Sequence, residues 1–480
     1  MIQAAKILEQ RSHLVPGTTY SAPFSPEQPW LTQPGKLRIT EHFFQVPRDH
    51  ANPSLGTIQL FARSARKLAK PADYSFPEDP AKSQLPWLIY LQGGPGFECP
   101  SPQHSAWSTF LLDKGYQILS MDQRGTGLST AISQSSLQLR GDEKVQTEYM
   151  KSFRADSIVK DAEAIRKALT ADYPEEKKKW SIMGQSFGGF CCTTYLSFYP
   201  EGVKEAFLFG GLPPLRNDPD EVYKRVYPKV EKRNEQYYEK YPEDVDRVRR
   251  VVKLLSRFGD ETVRVQGGEG FLSAARFMQL GINFGAHGGF DRVHELVLRA
   301  DNDLSLFGHL TRPTVLAIER SQSFDTNVIY ALLHEPCYCQ GDTASNWSAQ
   351  RLLPSYPSFD LPSTINDPTK PVYFTGEMIY PFMFDSYPEL KKLKTVGELL
   401  AQEKWPDLYD IEQLKKNEVP VYAAAYVDDM YVDFDFSMET ARTIKGCKTY
   451  ATNAMYHNAV SAKSDDILKE LFALRDDVID

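Results

Sequence analysis

One serine stands among glycines at residues 184–189, which read Gly-Gln-Ser-Phe-Gly-Gly. The apolar run at residues 180–183 predicts a strand before it, and residues 190–198 predict a helix after it. Glycines at such a junction permit a sharp turn that pushes the serine hydroxyl out of a sheet toward a substrate. A chance match in a glycine-rich turn is the alternative, but the flanking strand and helix favour a catalytic serine. The pattern predicts Ser186 as a nucleophile.

A serine hydroxyl needs a base, and in sheets of this kind the chain order is serine, then an acid, then histidine. Of the nine histidines, only His457 follows the point near residue 418 where the strand pattern resumes after a long interruption. It comes shortly after a predicted strand at residues 448–452, in a loop that the carboxyl edge of a sheet would present. A surface histidine near the C-terminus is the alternative. We predict that His457 is the base.

Several carboxylates compete for the role of the acid that orients this histidine. A predicted strand at residues 419–427 ends in Asp428 and Asp429, and Asp433 and Asp435 follow shortly after. The first two lie at the strand end, whereas the later two are better explained as helix-capping or solvated charges. We favour Asp429 and keep Asp428 as the alternative.

A second glycine-rich loop reads Leu-Gln-Gly-Gly-Pro-Gly at residues 91–96, directly after a predicted strand. Glycines at such an edge let backbone N–H groups approach a developing oxyanion. The N–H of Gly94, with that of Phe187 directly after the nucleophile, would form the oxyanion hole. A tight turn chosen only for its conformation is the alternative. No phosphate-binding motif of the G-x-x-x-x-G-K-[ST] type occurs in the chain.

These residues require a sheet that brings distant strand ends together. Short apolar runs alternate with helical patterns from residue 36 to about residue 212 and again after residue 418, which predicts an α/β fold with a mostly parallel sheet wrapped by helices. The predicted strands are Leu37–Val46, Thr57–Ala62, Pro86–Leu91, Tyr116–Met121, Trp180–Met183, Val203–Phe209, Val419–Val427 and Lys448–Thr452.

The alternation stops for about 200 residues in the second half of the chain. Residues 212–417 are rich in charge, proline and aromatic rings, with helical stretches and no strand pattern. A chain of 480 residues exceeds a typical domain, and one long insertion explains the excess. The prediction is therefore a core in two parts, residues 1–211 and 418–480, with a mainly helical insertion after the sixth predicted strand.

Composition excludes several classes of function. A net charge of −8 without a basic patch argues against nucleic acid and anionic membranes as partners. No signal-peptide pattern and no apolar run of membrane-spanning length occurs, and six irregularly spaced cysteines fit a reducing compartment, so a cytoplasmic protein is expected. His334, Cys337 and Cys339 offer three zinc-binding side chains but no fourth, so neither a metal nor another cofactor is predicted.

Together with Met-Asp-Gln-Arg-Gly-Thr-Gly at residues 121–127, the ordered motifs resemble the proline iminopeptidase (prolyl aminopeptidase) family of α/β-hydrolases. Gln92 departs from the histidine that many members have before the glycines. The family's Gly-Arg-Tyr-Asp reads Tyr-Val-Asp-Asp at residues 426–429 here, which aligns the catalytic acid with Asp429. The resemblance implies a cofactor-free serine peptidase that releases an N-terminal residue, typically proline, from peptides through a serine ester. The resemblance is compatible with a homo-oligomer and does not determine the number of chains.

The same resemblance makes the insertion a helical cap over the active site. An aminopeptidase must recognise a free ammonium, which a carboxylate in a partly dry pocket does well. Glu335 and Glu377 each stand among aromatic and apolar residues and are the predicted substrate-binding carboxylates. Ordinary surface or salt-bridged glutamates are the alternative. An esterase or amidase that needs no free amine, and a non-catalytic binding protein on a hydrolase scaffold, are the competing functions.

Overall fold

The computed structural model describes residues 2–16, 36–68, 84–257, 259, 261, 263–265, 270–322 and 324–477. Nine strands of these residues form one sheet. In chain order they are β1 (Lys6–Pro16), β2 (Lys36–Pro47), β3 (Thr57–Leu68), β4 (Trp87–Leu91), β5 (Gln117–Asp122), β6 (Trp180–Gln185), β7 (Val203–Phe209), β8 (Val421–Tyr426) and β9 (Cys447–Thr452).

The sheet is antiparallel at one end and parallel over the rest. Across the sheet the order is β1-β2-β3-β5-β4-β6-β7-β8-β9, with antiparallel pairs from β1 to β5 and parallel pairs from β5 to β9. Strand β4 is buried along its whole length, which explains why its sequence is a continuous apolar run. The predicted mostly parallel sheet is confirmed.

All eight predicted strands are present, and β1 was not predicted. Most of its residues are exposed, because it lies at the edge of the sheet that the described residues form and pairs within that sheet with β2. A strand without a buried face carries no apolar alternation, so its sequence gave no signal. Counting β1, the long insertion follows the seventh strand rather than the sixth.

Helices cover both faces of the sheet. Ile89 of β4 points into the apolar layer that contains Ile158, while its neighbour Leu88 points into the opposite layer with Leu111 and Leu471. This is the two-residue period of a strand buried on both sides. The helices before the insertion are α1 (Ser108–Asp113), α2 (Gln134–Gln138), α3 (Glu143–Met150), α4 (Ala155–Leu169) and α5 (Phe187–Phe198).

Between β7 and β8 the described residues form helices and turns, with two isolated bridges as the sole β pairing. The insertion contains α6 (Pro219–Lys240), α7 (Asp244–Arg257), α8 (Ala274–Met278), α9 (Gly289–Phe307), α10 (Arg312–Arg320), α11 (Val328–Leu333), α12 (Ser348–Leu352), α13 (Leu361–Asn366), α14 (Met383–Ser386), α15 (Lys394–Gln402) and α16 (Ile411–Lys415). The helices α17 (Phe434–Thr443), α18 (Ala459–Ala462) and α19 (Ser464–Asp476) follow β8 and β9. None of the helices in the described part of the chain has the length and apolar character needed to cross a membrane.

The short helix α11 packs directly on loops of the sheet. A side chain at Gly96 would come within 2.8 Å of the Ile329 Cβ, and one at Gly125 within 2.3 Å of the Ile329 Cδ1. The rings of Phe97 and Tyr330 pack edge to face at 5.3 Å. The insertion is therefore in van der Waals contact with the glycine-rich loop at residues 91–96 and with the loop that follows β5.

A buried ion pair fixes the loop after β5 to helix α4. The Nε and Nη2 atoms of Arg124 donate to the two oxygens of Asp161, at 2.7 and 2.6 Å. Neither side chain is exposed to solvent. His50 adds a third contact to the same carboxylate at 2.7 Å. Buried charges are tolerated only with such complete pairing.

Asp161→Asn should lower the free energy of unfolding by about 3–5 kcal/mol, because it leaves the Arg124 charge buried without its partner. Asp156→Asn on the same helix is the control, since its pair with Lys160 is partly solvated and should contribute at most about 1 kcal/mol. Urea unfolding measures both variants. Equal losses in the two variants would contradict the assigned role of the buried pair.

Candidate active site

Ser186 lies in the sharp turn between β6 and α5. Its backbone has φ 56° and ψ −126°, in the left-handed half of the map where a residue with a side chain is uncommon. The turn is fixed on both sides: the Ser186 N–H donates to the Phe209 carbonyl at 3.0 Å, and the Ser186 carbonyl accepts the Gly189 N–H at 2.8 Å. Strained backbone of this kind is typical of a nucleophile elbow.

Two glycines of the motif are required by close backbone contacts. A side chain at Gly188 would come within 1.9 Å of the Leu91 carbonyl oxygen, and one at Gly184 within 2.2 Å of the Gly188 oxygen. Neither backbone can move without displacing β4 or the first turn of α5. The motif is thus a packing requirement as well as a conformational one.

His457 is paired with one of the two candidate acids. Its Nδ1 lies 2.7 Å from Asp429 Oδ2, and both side chains are buried. The other Asp429 oxygen accepts the N–H groups of Tyr431 at 2.9 Å and Val432 at 3.1 Å. Asp428 instead contacts the Lys232 ammonium at the surface, at 2.9 Å. The structure therefore brings Asp429, and not Asp428, to the histidine.

The loop that carries His457 packs on the turn that carries Ser186. The Gln185 side-chain amide donates to the His457 carbonyl at 3.3 Å, and a side chain at Gly210 would come within 3.2 Å of His457 Nδ1. Because Nδ1 is engaged by Asp429, Nε2 is the ring nitrogen that can take a proton from a serine hydroxyl. Strands β6, β8 and β9 thus bring the three predicted catalytic residues to one edge of the sheet.

The electrostatic surroundings favour a proton on His457. Burial by itself lowers the pKa of this imidazole, but the Asp429 charge, the hydrogen bond to Asp429 and the Glu377 charge outweigh it and raise the pKa above its ordinary value. The Tyr431 ring packs edge to face on the imidazole at 4.7 Å. Glu377, which lies in the insertion, thus contributes to the raised pKa of the base.

The predicted oxyanion donors lie beside the serine. A side chain at Gly93 would come within 3.2 Å of the Ser186 Cβ, so the loop that includes Gly94 runs directly along the nucleophile. Phe187 is the first residue of α5, where a backbone N–H has no acceptor within its own helix. The N–H groups of Gly94 and Phe187 as oxyanion donors stay a prediction that this placement permits.

The Asp-Gln-Arg-Gly residues hold the glycine-rich loop in place. The Gln123 amide donates to the Gln92 carbonyl at 3.0 Å, and the Asp122 carboxylate accepts the Cys99 N–H at 2.9 Å. The other Asp122 oxygen accepts the Leu128 N–H at 2.8 Å. The contacts with Gln92 and Cys99 lie on either side of the glycines of this loop, so the motif positions the backbone next to Ser186.

Glu377 has a set of polar partners that the sequence analysis did not identify. The Tyr330 hydroxyl donates to Glu377 Oε1, and His334 Nε2 lies 3.5 Å from Oε2. Burial raises the pKa of Glu377, but His334, His457 and the Tyr330 hydroxyl outweigh it and lower the pKa below its ordinary value. Tyr330 and His334 are four residues apart at α11, a spacing that places them on one face and could have flagged them in the sequence.

Glu335 has different contacts. Its oxygens accept the N–H groups of Ser348 at 3.2 Å and Ala349 at 3.0 Å, at the start of α12, and only 4% of the residue is exposed. Burial raises the pKa of its carboxyl group. Trp347, just before this helix, has a left-handed backbone with φ 57°. Glu335 therefore caps a helix that starts from a strained turn, and its predicted contact with substrate stays a prediction.

The three side chains that could have suggested zinc have separate partners. The Cys337 thiol donates to the Leu333 carbonyl at 3.2 Å and the Cys339 thiol to the Glu335 carbonyl at 3.6 Å. His334 faces Glu377 instead. Among the described residues, no group of three or more His, Cys, Asp or Glu side chains is arranged to hold a metal ion.

Comparison with known proteins identifies the family of the chain. A family model described as the alpha/beta hydrolase fold matches residues 86–265. The proline iminopeptidase aneH of Aspergillus aculeatus is 45% identical over 93% of this chain and 96% of its own, and a proline iminopeptidase of Aeromonas sobria is 38% identical over 92% and 97%. The chain belongs to the proline iminopeptidase family of α/β hydrolases.

Solved structures resemble the chain more distantly. A proline iminopeptidase of Mycobacterium smegmatis is 13% identical, with a TM-score of 0.35, and the match covers 86% of this chain and 93% of that one. Nothing about activity follows from likeness at that level.

The raised pKa of His457 gives this proline iminopeptidase family member a defined response to pH. Labelling of Ser186 by an uncharged organophosphonate needs the unprotonated imidazole. The labelling rate should therefore decrease as the pH is lowered, with a midpoint above the ordinary histidine pKa of 6.5. Glu377→Gln removes one negative charge that favours the proton, so the midpoint should move to lower pH.

Glu335→Gln is the matched control, because Glu335 is a buried glutamate of the same insertion whose charge does not contribute to the pKa shift of His457. Its midpoint should equal that of the wild type. An unchanged midpoint in Glu377→Gln, or equal shifts in the two variants, would contradict the coupling between Glu377 and His457.

Proposed function

We propose that the protein is a serine aminopeptidase that releases an N-terminal residue, preferably proline, from peptides. Membership of the proline iminopeptidase family supports this, and one observation supports it most directly. Glu377 is a buried carboxylate with a lowered pKa, and its charge contributes to the raised pKa of His457. A negative charge that acts on the catalytic base suits a substrate whose reacting carbonyl is next to an ammonium group.

The chemistry follows from the roles of the three residues at the sheet edge. Ser186 Oγ attacks the carbonyl of the N-terminal residue while His457 Nε2 accepts its proton, and Asp429 holds the imidazole in the required tautomer. The N–H groups of Phe187 and Gly94 stabilise the oxyanion. His457 then donates the proton to the leaving peptide amine, and the C–N bond breaks.

The second half of the cycle hydrolyses the serine ester. Water gives a proton to His457 Nε2 and attacks the ester carbonyl, and the proton returns to Ser186 Oγ as the free amino acid leaves. No step uses a group from outside the protein other than water. The same oxyanion donors serve both halves, because both pass through a tetrahedral intermediate on the same carbon.

Recognition of the amino end is assigned to Glu377. A charge-assisted hydrogen bond in a partly buried site contributes about 1.5–3 kcal/mol, which corresponds to roughly tenfold to a hundredfold in binding. The rings of Phe97 and Phe324 pack against Tyr330, the donor to Glu377, so apolar surface adjoins the carboxylate. That combination suits a pyrrolidine ring that carries a positive charge. For Glu335 we propose a supporting role, since its oxygens are engaged by backbone N–H groups.

The insertion of residues 212–417 is proposed to act as the cap that restricts access to the catalytic residues. It supplies Glu377, and its helix α11 contacts the loop next to Ser186 through Ile329. A substrate must therefore fit between the cap and the sheet edge, which favours the free end of a peptide over an internal bond. We also propose a cytoplasmic location, which fits six cysteines that are all free, five of them buried.

Glu377→Gln should raise KM for prolyl-p-nitroanilide by about tenfold to a hundredfold and leave kcat within a few-fold, because the amide cannot pair with the ammonium. N-acetylprolyl-p-nitroanilide should not be turned over by the wild type. Ser186→Ala should turn over neither substrate. Steady-state kinetics on the three proteins measures these effects.

Glu335→Gln serves as the control in this assay as well. It should lower the melting temperature through weaker capping of α12 and raise KM less than Glu377→Gln does, because the Glu335 oxygens are already engaged by backbone N–H groups. Rapid turnover of the N-acetylated substrate would favour an esterase or amidase that needs no free amine. An unchanged KM in Glu377→Gln would remove the assigned ammonium site.

A further inference from the structure

His334 is a buried histidine that the catalytic cycle does not use. It follows α11, is 3% exposed, and lies between two polar groups from other parts of the insertion. Its Nε2 is 3.5 Å from Glu377 Oε2, and its Nδ1 is 3.3 Å from the Tyr223 hydroxyl on α6. The rings of Tyr330 and Tyr338 pack beside the imidazole at 5.1 and 5.6 Å. Each ring nitrogen of His334 therefore faces a polar group.

The neighbours determine which nitrogen carries the hydrogen in the neutral imidazole. An ionised carboxylate only accepts hydrogen bonds, so the hydrogen belongs on Nε2, which faces Glu377. Nδ1 can then accept the hydroxyl hydrogen of Tyr223. The opposite tautomer would point a lone pair at the carboxylate. The other carboxylate near His334 is that of Glu335, which already accepts two backbone N–H groups.

The hydrogen bonds of Glu377 leave a definite number of acceptor positions. An ionised carboxylate has about four lone-pair positions, two on each oxygen. The Tyr330 hydroxyl takes one on Oε1, and His334 Nε2 lies 3.5 Å from Oε2, where a hydrogen on Nε2 would occupy a second. One position on each oxygen would then remain for the substrate. A prolyl N-terminus has two N–H hydrogens on its secondary ammonium, whereas the other amino acids have three on a primary ammonium.

We propose that His334 is a positioning residue that makes Glu377 selective for a secondary ammonium. By occupying one lone pair, it leaves two acceptor positions for the two N–H groups of a prolyl end. A primary ammonium then has a third N–H that Glu377 cannot accept, and burying an unpaired N–H is costly. This inference rests on the proposed function, because it requires Glu377 to bind the amino end.

Two polar replacements of similar type separate this role from general packing. In His334→Gln the amide nitrogen can reach the position of Nε2 and donate to Glu377, whereas in His334→Asn the side chain is too short. His334→Asn should raise KM for prolyl-p-nitroanilide about tenfold, with kcat within about twofold, because the carboxylate loses an orienting donor. It should also lower the preference for prolyl over alanyl substrate in kcat/KM by about tenfold. His334→Gln should keep most of both properties.

Two controls complete the experiment. Cys339→Ala changes a buried side chain of the same segment that does not contact Glu377, and it should behave as the wild type. In a Glu377→Gln background, adding His334→Asn should change neither KM nor the prolyl preference further, since the histidine acts through that carboxylate. Melting temperatures of all variants confirm that they are folded.

The outcomes distinguish this inference from the proposed function. If Glu377→Gln leaves KM unchanged, Glu377 is not the ammonium site, and the role of His334 fails with it, whereas the aminopeptidase function itself is tested by the N-acetylated substrate. If Glu377→Gln raises KM but His334→Asn changes neither KM nor the prolyl preference, only the role of His334 is rejected. Equal effects of His334→Asn and His334→Gln, or full additivity with Glu377→Gln, would likewise reject it in favour of simple packing.

Discussion

The contact between Asp429 and His457 is the interaction on which the rest of the site depends. Both side chains are buried, and their contact fixes the loops after β8 and β9 to each other. Because β6, β7, β8 and β9 are neighbours in the sheet, the same edge also carries Ser186. About 200 residues are inserted between β7 and β8. They do not disturb this arrangement, because the chain departs from β7 and re-enters the sheet at its neighbour β8.

A second carboxylate and imidazole, Glu377 and His334, lie in the insertion above the first pair. The two pairs are not independent, since the Glu377 charge helps to raise the pKa of His457. On the proposed function, a substrate ammonium at Glu377 offsets that charge. The pKa of His457 is then lower in the complex than in the free enzyme. Binding of the correct amino end therefore moves the base toward the form that can accept a proton from Ser186.

The sequence predicted the elements that carry a strong local pattern. Strands buried on both faces, the turn at Ser186 and the single histidine after the insertion all have such a pattern. Strand β1 does not, because an exposed edge strand needs no apolar face. The choice between Asp428 and Asp429 depends on which side chain turns toward His457. The sequence of two adjacent aspartates does not contain that direction, which is set by the folded backbone at the strand end. Glu335 and Glu377 likewise have similar neighbours in sequence and different hydrogen-bond partners in space.

Helix α11 explains why recognition and chemistry are coupled in this fold. Ile329 packs on the glycine-rich loop beside Ser186, while Tyr330 donates to Glu377 and His334 lies one helical turn further along. A shift of this helix would therefore move the predicted oxyanion loop and the predicted ammonium site together. The glycines at residues 96 and 125 permit this close approach, because any side chain there would lift the helix off the loops. Both glycines also have a positive φ, 93° at Gly96 and 86° at Gly125, so their own turns favour glycine and the packed cap helix adds a second requirement at the same positions.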